Sequence, residues 1–415
     1  MMPNPLAHQQ AVLHLNPDRY LLAWGTRVGK TLTSLWLAEK KQVPTLIVTR
    51  KGLVKQWEEE ASKTLSIPFT VLSKENFKKN YLTLSDFKTV IWDECHDVEG
   101  PQTTNKKGGH SLARTFALWL KKNNPPFRYF LTATPYCSTP WNIFRLAHFL
   151  GHDWNYAKFR DTFFSERKQR YRRCPKGRCF GCVMCERTVF DIKDAPEIQA
   201  RLRTATANLG SVVKLQDCYD MPEETYHDVA LDPSAEQVKA LSEIVEGTTS
   251  IANIQRHRIE CGHISGEGYE PDRFLKNPID EKLIEYGSEF KKLAIVCLFR
   301  TQIEHLRQMF SDKRKVIVLW GGLKDFHAVR KEAEEAEDCI LLIQSSCSAG
   351  YSLQSFEAMV FASCDYSWVN YEQICGRLRH IGKTKKLLYI FLTCGKIGKR
   401  ILESVRNKRD FNPDS

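Results

Sequence analysis

Short apolar runs separated by amphipathic stretches set the rhythm of the chain. Residues 20–24, 45–49, 90–92 and 129–131 are apolar or β-branched runs, too short for buried helices, and they read as strands covered on both faces. Residues 32–40 gather Leu32, Leu35, Trp36 and Leu37 toward one side and predict a helix, and residues 53–62 predict a second. The alternation lapses in the middle. Residues 235–260 are polar with a helical pattern, and 262–278 are rich in Gly and Pro and read as loop. It resumes with strands at 293–299, 316–319, 339–343, 358–361 and 387–392, with helices expected at 304–310 and 326–337. Residues 396–409 predict a basic terminal helix. Strand–helix alternation of this kind specifies an α/β class with two parallel-sheet lobes.

Polar residues cluster where the predicted strands end. The run at 20–24 leads into Gly25-Thr26-Arg27-Val28-Gly29-Lys30-Thr31, the end of a phosphate-binding loop. Backbone N–H groups of such a loop cradle phosphates, its Lys reaches the β/γ-phosphates, and its Thr hydroxyl sits on Mg²⁺. Asp93 and Glu94 follow the apolar residues 89–92. Asp93 is placed to hold Mg²⁺ with Thr31, and Glu94 to orient or deprotonate the attacking water. These residues point to ATP hydrolysis. The loop departs from G-x-x-x-x-G-K-T because Trp24 stands at the first glycine and Gly25 comes one place late.

The 415 residues suffice for two or three domains, and 42% hydrophobic against 27% charged residues excludes a disordered chain. The net charge of +12 suits a polyanionic partner. The excess is local: residues 158–178 hold nine Lys or Arg against two acids. No apolar run approaches a membrane span and no signal-peptide core is visible, so the expectation is a cytoplasmic protein without membrane contact. Of 14 cysteines, Cys174, Cys179, Cys182 and Cys185 fall within twelve residues. That density, in a reducing compartment, indicates thiolate ligands for structural zinc. An iron–sulfur cluster is the rival. A variant uses three of these cysteines with Cys261 or His263. Nearby Arg170, Arg172 and Arg173 would favour thiolates and could face phosphates.

Further blocks appear in a fixed order: Leu131-Thr132-Ala133-Thr134-Pro135, Ser348-Ala349-Gly350-Tyr351-Ser352-Leu353-Gln354, and residues 371–383 with Gly376-Arg377-Leu378-Arg379-His380 at their centre. Together with Trp57 in Lys55-Gln56-Trp57-Glu58, the ordered set resembles superfamily-two helicases and translocases. It is most similar to short phage and bacterial members of the Swi/Snf-like branch. The resemblance implies two RecA-like lobes with ATP between them and nucleic acid across them. It implies an adenine-reading amide at Gln9 (Gln10 is the alternative) and an arginine finger at Arg377. A second finger would fall to Arg379 or His380. Many relatives carry glycine at the position of Arg27. By the same analogy, Arg50, Lys51, Thr301, Gln302, Ser346 and Ser348 are candidates for phosphate contacts. The partner expected is DNA, with RNA open, and the chain is expected to be a monomer or loosely associated. A non-catalytic clamp is the other alternative. The boundaries drawn are 1–157 for the ATP-binding lobe, 158–190 for a cysteine-rich zinc knuckle, 191–285 for a linking helical region, 286–395 for the second lobe and 396–415 for a basic tail.

Overall fold

The computed structural model describes residues 4–98, 110–133, 140–171, 185–193, 196–219, 222–244, 250–266, 272–323, 325–347, 352–379 and 386–407. In the first half, the apolar runs become β1 (Arg19–Trp24), β2 (Thr45–Thr49), β3 (Phe69–Ser73), β4 (Thr89–Trp92) and β5 (Phe127–Leu131). Every residue of β2 and β4 is buried, as expected of central strands in a parallel sheet with both faces covered. The helices Lys30–Lys41, Val54–Thr64 and Leu112–Asn123 belong to the same lobe. One part of its core is an aromatic nest. Trp92 lies 5.1 Å from Phe77 and 4.2 Å from Phe116 between ring centroids. Such pairs contribute about 0.5–1.5 kcal/mol beyond their buried area, and here they anchor the end of β4 just before Asp93.

An antiparallel hairpin follows, β6 (Phe164–Tyr171) and β7 (Cys185–Ile192), with Phe164 opposite Ile192 and Tyr171 opposite Cys185. Its strands flank the cysteine-rich segment. After the helix Pro196–Ala207, β8 (Gly210–Val213) returns to pair with β1, Leu21 opposite Gly210 and Trp24 opposite Val213. Among the described residues the sheet has the order β3-β2-β4-β5-β1-β8, all parallel.

The second half contains β9 (Glu224–Leu231), the short pair β10 (His263–Ile264) and β11 (Arg273–Phe274), and then β12 (Lys292–Cys297), β13 (Val316–Leu319), β14 (Cys339–Gln344), β15 (Ala358–Phe361) and β16 (Leu387–Cys394). Its six-stranded sheet, again parallel among the described residues, runs β13-β14-β12-β15-β16-β9. The chain divides into two compact units, Met1–Lys214 and Leu215–Ser415, each with its own sheet. The interval 191–285, expected to be a helical link, contributes an edge strand to each sheet. Both strands are largely half-buried or exposed, so neither carries the continuous apolar run that marks the inner strands. No helix among the described residues is long and apolar enough to cross a membrane.

Candidate nucleotide site

In a parallel sheet, chemistry collects beyond the carboxyl ends of the strands, and both polar motifs lie there. The loop leaves β1 and enters the helix Lys30–Lys41 through Gly29, which has φ = +83°. The positive φ favours glycine at this position, and a Cβ there would also push against the Gln9 amide at 2.3 Å, so Gln9 would have to shift. The helix start presents N–H groups that lack partners within the helix, which fits a phosphate chain. The ammonium of Lys30 donates to the carbonyls of Trp24 (2.8 Å) and Gly25 (2.9 Å), which holds it over the loop.

Trp24, the departure from the glycine pattern, is explained by packing. Its side chain is fully buried, its indole N–H donates to Ser211 Oγ at 2.7 Å, and the His8 ring stands edge-on 4.7 Å away. The edge strand β8 thus supplies the partner that makes a tryptophan acceptable at the mouth of the loop. Arg27 adopts φ = +64°, the left-handed region that favours glycine. Gln9 is buried on the helix Ala7–Leu15. Its amide nitrogen donates to Thr33 Oγ1 (3.0 Å) and Gly29 O (3.3 Å), and its oxygen accepts from Leu6 N (2.8 Å), so the side chain braces the loop. Gln10 is exposed and donates to Pro5 O. Thr26, Val28 and Thr31 lie in the same loop and helix start, Val28 fully buried with its carbonyl 2.9 Å from His8 Nε2.

The carboxylates sit at the end of β4. Asp93 Oδ2 accepts from Thr49 Oγ1 at 2.8 Å and from the Trp57 indole at 3.2 Å. Glu94 holds φ = +49°, and its carbonyl accepts from the buried ammonium of Lys74 at 3.0 Å. Its Oε2 lies 3.3 Å from His96 Nδ1. Burial raises the pKa of Asp93, the neighbouring Glu94 charge adds to this, and Lys74, Thr49 and Lys30 offset part of it. Burial acts to raise Glu94 too, but His96, Lys30 and Arg50 outweigh it and hold that carboxyl well below the usual range. The pair is therefore asymmetric: Glu94 keeps its charge, and the proton is more easily held on Asp93. Lys30 lowers the pKa of both carboxyls, and its loop and the acidic pair follow β1 and β4 of the same sheet.

Thr49, Lys74 and His96 carry no assignment from sequence. His96 was visible as the last residue of Asp93-Glu94-Cys95-His96, and Thr49 as a polar residue closing an apolar run. Lys74 gave no signal, because one lysine opening a short helix reads as solvated.

In the second lobe, Arg377 is buried on the helix Trp368–Leu378. Arg379 is gripped by Glu224 at the start of β9, Nε to Oε1 at 2.6 Å and Nη2 to Oε2 at 3.0 Å, with Glu372 3.7 Å away. Gln302, a candidate phosphate contact, lies in the interior of the lobe. It is 3% exposed, its amide donates to Ala362 O and accepts from Ser363 Oγ, and it faces the protein interior. Thr301 donates to Asp272 Oδ2 at 2.6 Å, and Ser346 is exposed. Arg50 is half-buried, and Lys51 beside it is exposed.

Arg172, Arg173, Cys174, Cys179, Cys182, Ser348 and His380 lie outside the described residues, as do Thr134 and Pro135. Arg170 and Cys185 are placed by backbone register, opposite Glu186 and Tyr171. Cys261 and His263 are buried in the second lobe, His263 against the Phe299 ring. Among the described residues no group of three or more His, Cys, Asp or Glu side chains forms a metal site.

No protein-family model matches this sequence, and no curated protein matches it. A solved structure does: the helicase domain of Hef from Pyrococcus furiosus, at 14% identity, with 97% of this chain and 98% of that one covered and a TM-score of 0.51. The fold is that of a two-lobed helicase. At that identity the likeness establishes the fold alone.

Proposed function

We propose that this chain is a nucleic-acid-dependent ATPase that drives helicase or translocase movement on DNA, of the Swi/Snf-like kind. One observation carries the reading: a phosphate-type loop and an asymmetric acidic pair lie at the carboxyl ends of β1 and β4 in one sheet of a helicase-like fold. Lys30, Thr31 and the backbone of residues 25–29 would bind the triphosphate. Thr31 and Asp93 would hold Mg²⁺, which when bound neutralises charge on the phosphates. Glu94, kept anionic, orients the attacking water, and Arg377 stabilises charge on the transferring phosphoryl group. Exposed Lys51 and the basic stretch around Arg170, Arg172 and Arg173 suit phosphate contacts. Cys174, Cys179, Cys182 and Cys185 suit a structural zinc between β6 and β7, which metal analysis of the purified chain tests directly.

The functional test is ATP turnover with and without DNA. Lys30→Ala and Glu94→Gln should each lower stimulated turnover on the order of a hundredfold or more, with Glu94→Gln still binding ATP. Unchanged turnover in either variant refutes the assignment. Stimulation by RNA but not by DNA of equal length reassigns the partner. Nucleic-acid binding without any turnover makes the chain a clamp.

A further inference from the structure

The side chains around Glu94 form a chain of contacts that hydrolysis alone does not require. Arg50 Nη2 stands 3.2 Å from His96 Nε2. A guanidinium can only donate, so this ring nitrogen accepts and the imidazole hydrogen of the neutral ring sits on Nδ1. Nδ1 in turn is 3.3 Å from Glu94 Oε2. The three residues come from two adjacent strand ends: Arg50 follows β2, Glu94 and His96 follow β4, and the two strands are paired. The main chain at Glu94 is fixed independently, by its left-handed conformation and the Lys74 bond to its carbonyl. What can change is the company its carboxylate keeps. Arg50 is half-buried beside the exposed residues Lys51 and Gly52, so its guanidinium connects a basic surface turn to the acidic pair.

We propose that Arg50 and His96 form a restraint on Glu94 that a nucleic-acid phosphate releases. The proposal rests on the ATPase reading and adds its regulation. While Arg50 holds Nε2, the imidazole is fixed in one tautomer with its protonated Nδ1 standing 3.3 Å from the carboxylate oxygen, and that oxygen of Glu94 is crowded by the ring. A phosphate offers a guanidinium two charged oxygens, a stronger partner than one neutral ring nitrogen. Once Arg50 turns to phosphate, the ring loses the bond that orients it, and Glu94 is free to align water. His96 and Arg50 are positioning residues in this scheme, acting on hydrolysis through Glu94.

The test uses the full chain, ATP, and a DNA oligonucleotide as the phosphate source. In Arg50→Gln and His96→Ala, turnover without DNA should rise roughly three- to tenfold, the worth of one hydrogen bond, with KM for ATP unchanged. Stimulation by DNA should fall toward unity. A merely structural role would lower turnover, never raise it. Wild-type turnover without DNA together with wild-type stimulation overturns the proposal, and so does loss of turnover in a folded variant that still binds ATP. If His96→Ala fails to fold by circular dichroism, Arg50→Gln decides alone. A wild-type chain that neither binds nor hydrolyses ATP removes the ATPase reading itself. A wild-type ATPase whose variants behave like it removes only the restraint.

Discussion

Arg27 occupies a backbone conformation that costs a residue with a Cβ about 1–2 kcal/mol. Glycine would remove that strain and return about 0.5–1 kcal/mol through the greater freedom of the unfolded chain. Arg27→Gly should therefore stabilise the first lobe by up to about 1 kcal/mol, read as a rise of a few degrees in Tm. A loop that keeps arginine against that gradient uses its guanidinium, so ATP affinity should fall in the same variant; titration with nucleotide checks it. The residues whose chemistry lies within a short stretch of chain, Lys30, Thr31, Asp93 and Glu94, were legible in the sequence as spacing. Those that reach the site from elsewhere were not. Thr49 meets Asp93 across 44 positions and Lys74 meets Glu94 across 20, and no local pattern encodes such meetings. Trp24 shows the same limit: as a letter it breaks a motif, and in the fold it fills a pocket closed by Ser211 and His8.

At the scale of elements, the inner strands were legible because burial on both faces demands uninterrupted apolar residues. Residues 45–49 and 358–361 match the observed inner strands end to end, and 316–319 matches β13, an edge strand that nevertheless keeps an apolar run. The edge strands β8 and β9 were missed because one side of each meets solvent. The hairpin β6–β7 was missed because its first strand is highly charged. The helix Ser250–Glu260 and β10 carry a testable pH response. Burial depresses His257, packed against Tyr366 and Phe299, to about 3. Burial, with the charge of Arg258, depresses His263 to about 4. Unfolded histidine takes up a proton near pH 6.5, so between there and about pH 4 the unfolded chain binds more protons than the native one. Stability of the second lobe is complete above pH 6.5 and should fall with acidification, by up to ~1.4 kcal/mol per pH unit for each histidine. His257→Asn should flatten the dependence of Tm on pH across that window, and an unchanged profile would refute the assignment.

The whole molecule pairs two sheets of like design with a net charge of +12. About five phosphate contacts from the basic stretch at 158–178 would give a slope of log affinity against log salt near −4 to −5 on duplex DNA. A slope flatter than about −2 would take that stretch out of the interface.

Between Val213 and Glu224 the polypeptide passes from one sheet to the other, and each sheet draws all its strands from its own side of that passage. During synthesis, the ribosome has delivered every strand of the first ladder before residue 224 is added, so the nucleotide loop and its acidic partners can mature while the later half is still being translated. Neither half has to be threaded through the other. Extra residues inserted in the passage would lengthen a tether and leave both hydrogen-bonded ladders as they are.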